Sequence, residues 1–153
     1  MYVVGVTGGI ASGKSVVSRT LGELGAHVVE ADALARGQTH PGSPVLRRLV
    51  DAFGEGVLRP DGALDRRALG EIAFADASAL ERLNKITHPP LTDAIEGALA
   101  SIERDDPEGV AVVDAALLLD WDVAERMDLV VAVTAPEAER VQRMMSSGLT
   151  ERQ

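Results

Sequence analysis

Cysteine is absent from this 153-residue sequence, which rules out a disulfide framework and thiolate metal ligation and leaves the compartment unconstrained by redox chemistry. Lysine is almost absent: Lys14 and Lys85 are the only two, and every other basic side chain apart from three histidines is arginine. No apolar run approaches the roughly 18 to 20 residues of a membrane span, and the N-terminus lacks the basic region of a signal peptide. Nor is there an excess of positive charge. With 15 Lys and Arg against 24 Asp and Glu the formal net charge is −9, which argues against a general nucleic-acid or membrane-surface binder, because such proteins cluster cations against phosphates. Any phosphate bound here has to be held locally, by backbone amides and a few arginines. What is present in quantity is apolar surface, 46% of residues, enough at this length for one domain with a sizeable core and room for an insertion. Cytoplasmic residence is the default expectation, as a monomer or weak homo-oligomer.

The most informative segment is Gly8 to Ser15, GGIASGKS, which fits G-x-x-x-x-G-K-[ST] and follows the apolar run Tyr2 to Val6. A buried strand, a glycine-rich turn and a helix starting at Lys14 or Ser15 form the context in which this pattern binds nucleotide phosphates. Loop amides and the positive end of the helix would cradle the phosphates across Gly9, Ile10, Ala11, Ser12, Gly13, Lys14, Ser15 and Val16. Lys14 would reach the β- and γ-phosphates of ATP and Ser15 would ligate Mg²⁺. An ordinary glycine-rich turn between strand and helix is the bland alternative.

Val28 to Ala31 reads as a second buried strand, reached through a helix over about Lys14 to Leu24 and a turn at Gly25, so the N-terminal third is a βαβ unit. Val110 to Ala116 and Leu129 to Val133 are further valine-rich runs. Continuous rather than alternating hydrophobicity fits parallel strands covered on both faces. Between the second and third strands, Leu46 to Phe53, Asp65 to Phe74, Ala77 to Ile86 and Leu91 to Ile102 have helical apolar spacing. Pro41-Gly42, Pro60-Asp61-Gly62 and Pro89-Pro90 are expected to break them apart. The stretch 34–108 is therefore expected to be a helical insertion carrying the second substrate. After the fourth strand a helix is expected over Pro136 to Met145, broken at Ser146-Ser147-Gly148, with another starting near Thr150-Glu151-Arg152.

Several side chains fit phosphoryl transfer, which rests on positioning and charge stabilisation. Asp32, at the carboxyl end of the second strand, is placed either to accept the proton of an attacking hydroxyl or to cap the helix beginning at Ala33. Asp114 follows four apolar residues as a magnesium-supporting carboxylate does, or is simply a strand-end aspartate. Asp120 and Asp122, around Trp121, are weaker candidates. Arg140 and Arg143, three apart, would fold over a triphosphate or lie solvated on an exposed helix. His88 would contact the acceptor or end a helix before Pro89. Arg66 and Arg67 would bind an anionic substrate or form one exposed helix face.

In combination these segments resemble the dephospho-coenzyme A kinase family. The resemblance runs through Val6 to Ser15, Glu30-Ala31-Asp32, Pro41 to Pro44, Phe53-Gly54, Asp61 to Arg66, Leu83 to Pro89 and the helix with Arg140 and Arg143, covering nearly the whole chain. It implies an α/β, three-layer P-loop kinase fold with a mostly parallel central sheet, a helical substrate-binding insertion over 34–108 and a lid starting within 136–153. It further implies ATP-dependent phosphorylation of the ribose 3′-hydroxyl of dephospho-coenzyme A, with Mg²⁺. Asp32 and Lys14 would be catalytic, Arg140 would belong to the nucleotide site, Thr7, Asp32, Arg66 and His88 would face the acceptor, and Ser15 and Asp114 would hold the metal. Members of the family continue for several tens of residues past the position of Gln153. The family often has glycine where Ala11 stands, and alanine is expected to avoid positive φ there. A non-catalytic nucleotide- or coenzyme A-binding module, or a kinase for another small alcohol or nucleoside, are the competing readings; no guanine-reading Asn-Lys-x-Asp segment favours a GTPase.

Overall fold

The computed structural model describes residues 1–116 and 122–146. Expectations that fall on Asp120, on the break after Ser146 and on the helix start near Thr150 lie outside the described residues. Two compact units are present, one comprising Met1–Ala31 with Ile95–Gln153 and the other Asp32–Ala94.

The first unit is built on four parallel strands, β1 (Tyr2–Gly8), β2 (His27–Glu30), β3 (Val110–Asp114) and β4 (Leu129–Val133), in the order β2-β3-β1-β4. The central pair is β1 and β3, and both are buried almost along their length. That burial explains their unbroken valines: strands covered on both faces have no solvent side on which to place polar residues. Helix α1 (Lys14–Glu23) packs on β1, β2 and β3, and a core of Val4, Val6 and Val112 is closed by Val17, Leu21, Ala26, Val131 and Val133. Each fully buried valine of this kind contributes about 1.5–3 kcal/mol relative to exposure. Asp128 ties the start of β4 to β1, accepting from Val3 N at 2.7 Å and donating its own N–H to Val3 O at 2.8 Å.

Four expectations change here. The βαβ unit holds, but β3 lies between β1 and β2, a non-local choice that no local pattern records. The second strand ends at Glu30, and the chain turns straight into α2 (Ala31–Gln38), so Asp32 lies in the first helical turn rather than at an N-cap. The fourth strand is less covered than its composition suggested, with Leu129 48% and Val130 36% exposed, because β4 is an edge strand. The third strand closes at Asp114, two residues earlier than Ala116.

The second unit contains α2, α3 (Pro44–Phe53), a single 3-10 turn at Glu55–Val57, α4 (Arg66–Ala75) and the start of α5 (Ala77–Asp105). Its core is Val45, Leu46, Leu49, Val57, Leu64 and Leu69. Ser43 caps α3 by accepting from Leu46 N at 3.1 Å, and Pro44 occupies the first turn, where a missing N–H costs nothing. Asp65 caps α4 through Arg67 N and Ala68 N, both at 3.0 Å. The break expected at Pro89-Pro90 is corrected: α5 runs through both prolines. Their missing N–H groups and ring clashes act on one turn, whereas Leu91, Ile95 and Leu99, four residues apart, are 5%, 0% and 1% exposed and carry the helix onward. The Gln38 side chain also donates to the Pro90 carbonyl. The last helix, α6 (Glu137–Ser146), belongs to the first unit.

Candidate functional site

The loop between β1 and α1 has the geometry of an anion cradle. Gly8 ends β1 where a Cβ would stand 2.6 Å from Val133 O and 2.7 Å from Ser12 Oγ, so only glycine fits there. Ser12 N donates back to Gly9 O at 3.1 Å, and Gly13 enters the helix at φ 99°, ψ 9°, a left-handed conformation suited to glycine. Ala11 is also left-handed, at φ 60°, and is the one non-glycine residue with positive φ among the described residues. This overturns the expectation for alanine; a local preference of about 1–2 kcal/mol yields to contacts that fix the peptides on either side.

At the start of α1, Val16 N and Val17 N both donate to Gly13 O, at 2.9 and 3.3 Å. The amides of Lys14 and Ser15 come before the first intrahelical acceptor. Among the described residues no side chain caps this end, and the first turn carries no acidic residue, whereas α3 and α4 are capped by Ser43 and Asp65. An uncapped N-terminus with free amides and the positive end of the dipole is suited to a bound anion. Ser12 Oγ adds a second mark: Ser12 is 5% exposed, and its hydroxyl has no hydrogen-bond partner among the described residues. A buried hydroxyl left unpaired is costly, which fits a group completed by a ligand.

The structure brings several of the expected residues together in this first unit. Lys14 Nζ pairs with Asp114 Oδ1, the two side chains being 15% and 10% exposed. Asp114 stands at the end of β3, in register with Val6 on one side and Glu30 on the other. Thr7, 7% exposed, donates its hydroxyl to Ala116 O at 2.9 Å. Ser15, exposed, sits in the first turn of α1. Arg140 Nε donates to Ile10 O at 2.9 Å and Arg143 Nη1 to Ala11 O at 3.0 Å. Both arginines therefore grip the loop's backbone instead of lying free over it. For Arg143 the sequence offers a lid role or a solvated helix face, and its three-residue spacing from Arg140 is the signal that pairs the two on this loop.

The remaining expected residues belong to the second unit. Asp32 is exposed in the first turn of α2. Arg66 opens α4 and donates Nη2 to the buried Thr39 Oγ1 at 2.8 Å. Partial desolvation, then the neighbouring Arg36 cation, hold the Arg66 guanidinium below its ordinary pKa, with Asp32 acting in the opposite sense. Arg66 also lines an open pocket of about 330 Å³ with Thr39, His40, Pro41, Arg59 and Leu64. The pocket depends on the approach of the 39–41 and 59–66 segments, which sequence patterning did not reveal. Arg67, by contrast, faces solvent and pairs with Glu71 at 3.0 Å. His88 lies half-buried in mid-helix within α5, not at a helix end.

Similarity to known proteins extends over almost the whole chain. The family model described as Dephospho-CoA kinase matches residues 2–153. Dephospho-CoA kinase from Geobacter sulfurreducens is 51% identical over 95% of this chain and 74% of its own length. The Moorella thermoacetica enzyme of that name is 47% identical over 95% of this chain and 69% of its own. In structure, TT1252 from Thermus thermophilus superposes with a TM-score of 0.83 at 32% identity, covering 99% of this chain and 75% of that one. Dephospho-CoA kinase from Campylobacter jejuni, at 19% identity and a TM-score of 0.62 over 94% of this chain and 96% of that one, shares the fold. The α/β architecture with its parallel sheet, the phosphate-cradling loop and these matches lead to one assignment: the chain belongs to the dephospho-CoA kinase family.

Proposed function

We infer that this chain transfers the γ-phosphoryl group of ATP to the ribose 3′-hydroxyl of dephospho-CoA, releasing CoA and ADP. The observation that carries the reading is the uncapped start of α1, with no acidic residue in its first turn, behind a loop of the phosphate-binding pattern, within a family of this activity. In this reading the amides of Gly9 to Val16 hold the phosphates, Lys14 supplies charge to the β- and γ-phosphates, and Arg140 supports the nucleotide side. The unpaired Ser12 hydroxyl fits a phosphate oxygen acceptor.

Mg²⁺ fits the residues present, for Ser15 offers a hydroxyl and Asp114 a carboxylate, the hard oxygen donors the ion prefers. Among the described residues no cluster of three or more His, Cys, Asp or Glu forms a metal cage, in keeping with an ion held largely by phosphates and water. When bound it neutralises charge on the phosphate oxygens.

On the acceptor side we assign Asp32 as the carboxylate that takes the proton of the 3′-hydroxyl as its oxygen bonds to phosphorus and the bond to the ADP oxygen breaks. Thr7, Arg66 and His88 would orient dephospho-CoA. Cytoplasmic residence suits such a reaction, and no helix among the described residues is long and apolar enough to cross a membrane.

The test is ADP release measured with and without dephospho-CoA, in the native chain and in Asp32→Ala. Release that depends on dephospho-CoA is expected. The variant should bind ATP as tightly as the native chain by calorimetry while kcat falls by about 10²–10⁴-fold, the range for losing a general base. Undiminished turnover would remove Asp32 from the mechanism.

A further inference from the structure

The conformation of one residue is set by the orientation of its two flanking peptide planes, and at Ala11 each plane is held by a different arginine. The peptide joining Ile10 to Ala11 presents its carbonyl to Arg140 Nε at 2.9 Å. The next, joining Ala11 to Ser12, presents its carbonyl to Arg143 Nη1 at 3.0 Å. In a trans peptide the N–H points opposite to the C=O. Arg140 therefore turns the Ala11 N–H to the side away from its own guanidinium. Arg143 turns the Ser12 N–H onto Gly9 O, with which it bonds at 3.1 Å, closing the turn. Ala11, between the two gripped planes, is left at φ 60°.

Two further contacts show that the arginines are seated rather than casually exposed. Glu139 Oε2 accepts from Arg143 Nη2 at 3.1 Å, aiming the guanidinium while its other nitrogen serves Ala11. At Gly9 a Cβ would stand 3.2 Å from Arg140 Nη2, a tight approach that shows how closely the guanidinium lies against the loop.

Building on the reading of Gly9 to Val16 as the ATP site, we propose that Arg143, acting with Arg140, is a positioning residue that holds Ala11 left-handed and so sets the direction of the phosphate-binding amides before nucleotide arrives. Its action passes through Ala11 and needs no contact with ATP. An L-residue pays for the left-handed conformation and glycine does not, so the clamp matters more with alanine at this position than it would with glycine.

The experiment is a double-mutant cycle on ATP affinity, by calorimetry, with the native chain, Arg143→Gln, Ala11→Gly and the two combined. Arg143→Gln is expected to weaken ATP about three- to thirtyfold, the scale of one exposed charge-assisted hydrogen bond, with dephospho-CoA affinity unchanged. In the Ala11→Gly background the loss from the same substitution is expected to be at least about threefold smaller than in the native chain. Arg143→Lys, which keeps one donor for Ala11 O, should recover part of the loss. Equal losses in both backgrounds, or none in either, would overturn the proposal, since direct contact with ATP gives additive effects. If Arg143→Gln melts early, Glu139→Gln is measured instead, with a smaller loss of ATP affinity expected and an unchanged affinity counting against the clamp. A native chain that binds no ATP would instead sink the reading of the loop, a result separate from these.

Discussion

Ala11 shows how a single residue can be strained by its surroundings without being misplaced. Its left-handed backbone costs free energy, and that cost can be measured by removing the Cβ. Ala11→Gly relieves about 1–2 kcal/mol of αL strain and loses about 0.4–1 kcal/mol through the greater freedom of the unfolded chain. A net gain of about 0.5–1 kcal/mol in denaturant melts is expected, and a destabilised variant would mean that Ala11 is not strained. The residue also marks where sequence reading stopped. GGIASGKS identified the cradle because the pattern is local and its backbone geometry follows from its own glycines. What alanine does at position 11 depends on arginines about 130 positions further along the chain, and no local preference records that. Asp114 was legible for the opposite reason, since four apolar residues followed by a carboxylate place it on a buried strand whatever else surrounds it, although the strand's end falls at Asp114 itself and not at Ala116.

Among the elements, the helices differ most in how their ends are finished. Asp76 lies between α4 and α5 and accepts from the Ser78 hydroxyl and the Ser78 N–H, which hold its carboxyl below the ordinary range, with Arg82 adding a smaller effect. The folded state therefore keeps this group ionised at a pH where the unfolded chain has begun to protonate it. Its stabilising contribution is full above the ordinary value of 3.8 and is lost as pH falls through the lower folded value. Thermal melts taken down through this range should show a smaller acid-induced fall in Tm for Asp76→Asn than for the native chain. At α3, Ser43→Ala should cost about 1 kcal/mol in denaturant melts through the lost cap to Leu46 N. Some element ends were legible from periodicity, as at Phe53, but the start of that helix, read at Leu46, lies at Pro44, where the Ser43 cap sets it. A boundary was misread at Pro89-Pro90, where a strong breaker signal was outweighed by the stripe of Leu91, Ile95 and Leu99.

For the molecule as a whole, parallel order was legible in the valine runs, but the position of β3 between β1 and β2 was not, because strand order is decided by contacts between distant segments. Burial is concentrated in β1 and β3, and the amides there should be the slowest to exchange hydrogen, with α6 and its exposed surface among the fastest. Adding ATP with Mg²⁺ should slow exchange across 9–17 and in α6. Adding dephospho-CoA alone should slow it within 32–66. Mass spectrometry of the exchanged peptides reads both, and protection by ATP confined to 32–66 would contradict the assignment of the loop.

The pairing of Lys14 with Asp114 has a consequence for what can enter the loop. The lysine's charge is matched by Asp114, so an anion that recruits Lys14 would leave a partly buried carboxylate in need of another positive partner. A free phosphate ion brings none. A nucleotide carrying its own divalent cation would bring both charges at once and, on the proposed assignment, give each side of the pair a new counterpart. On the proposed assignment of Lys14 to the phosphates and Asp114 to the metal, the pair would thus favour a nucleotide that arrives with its cation over a bare anion.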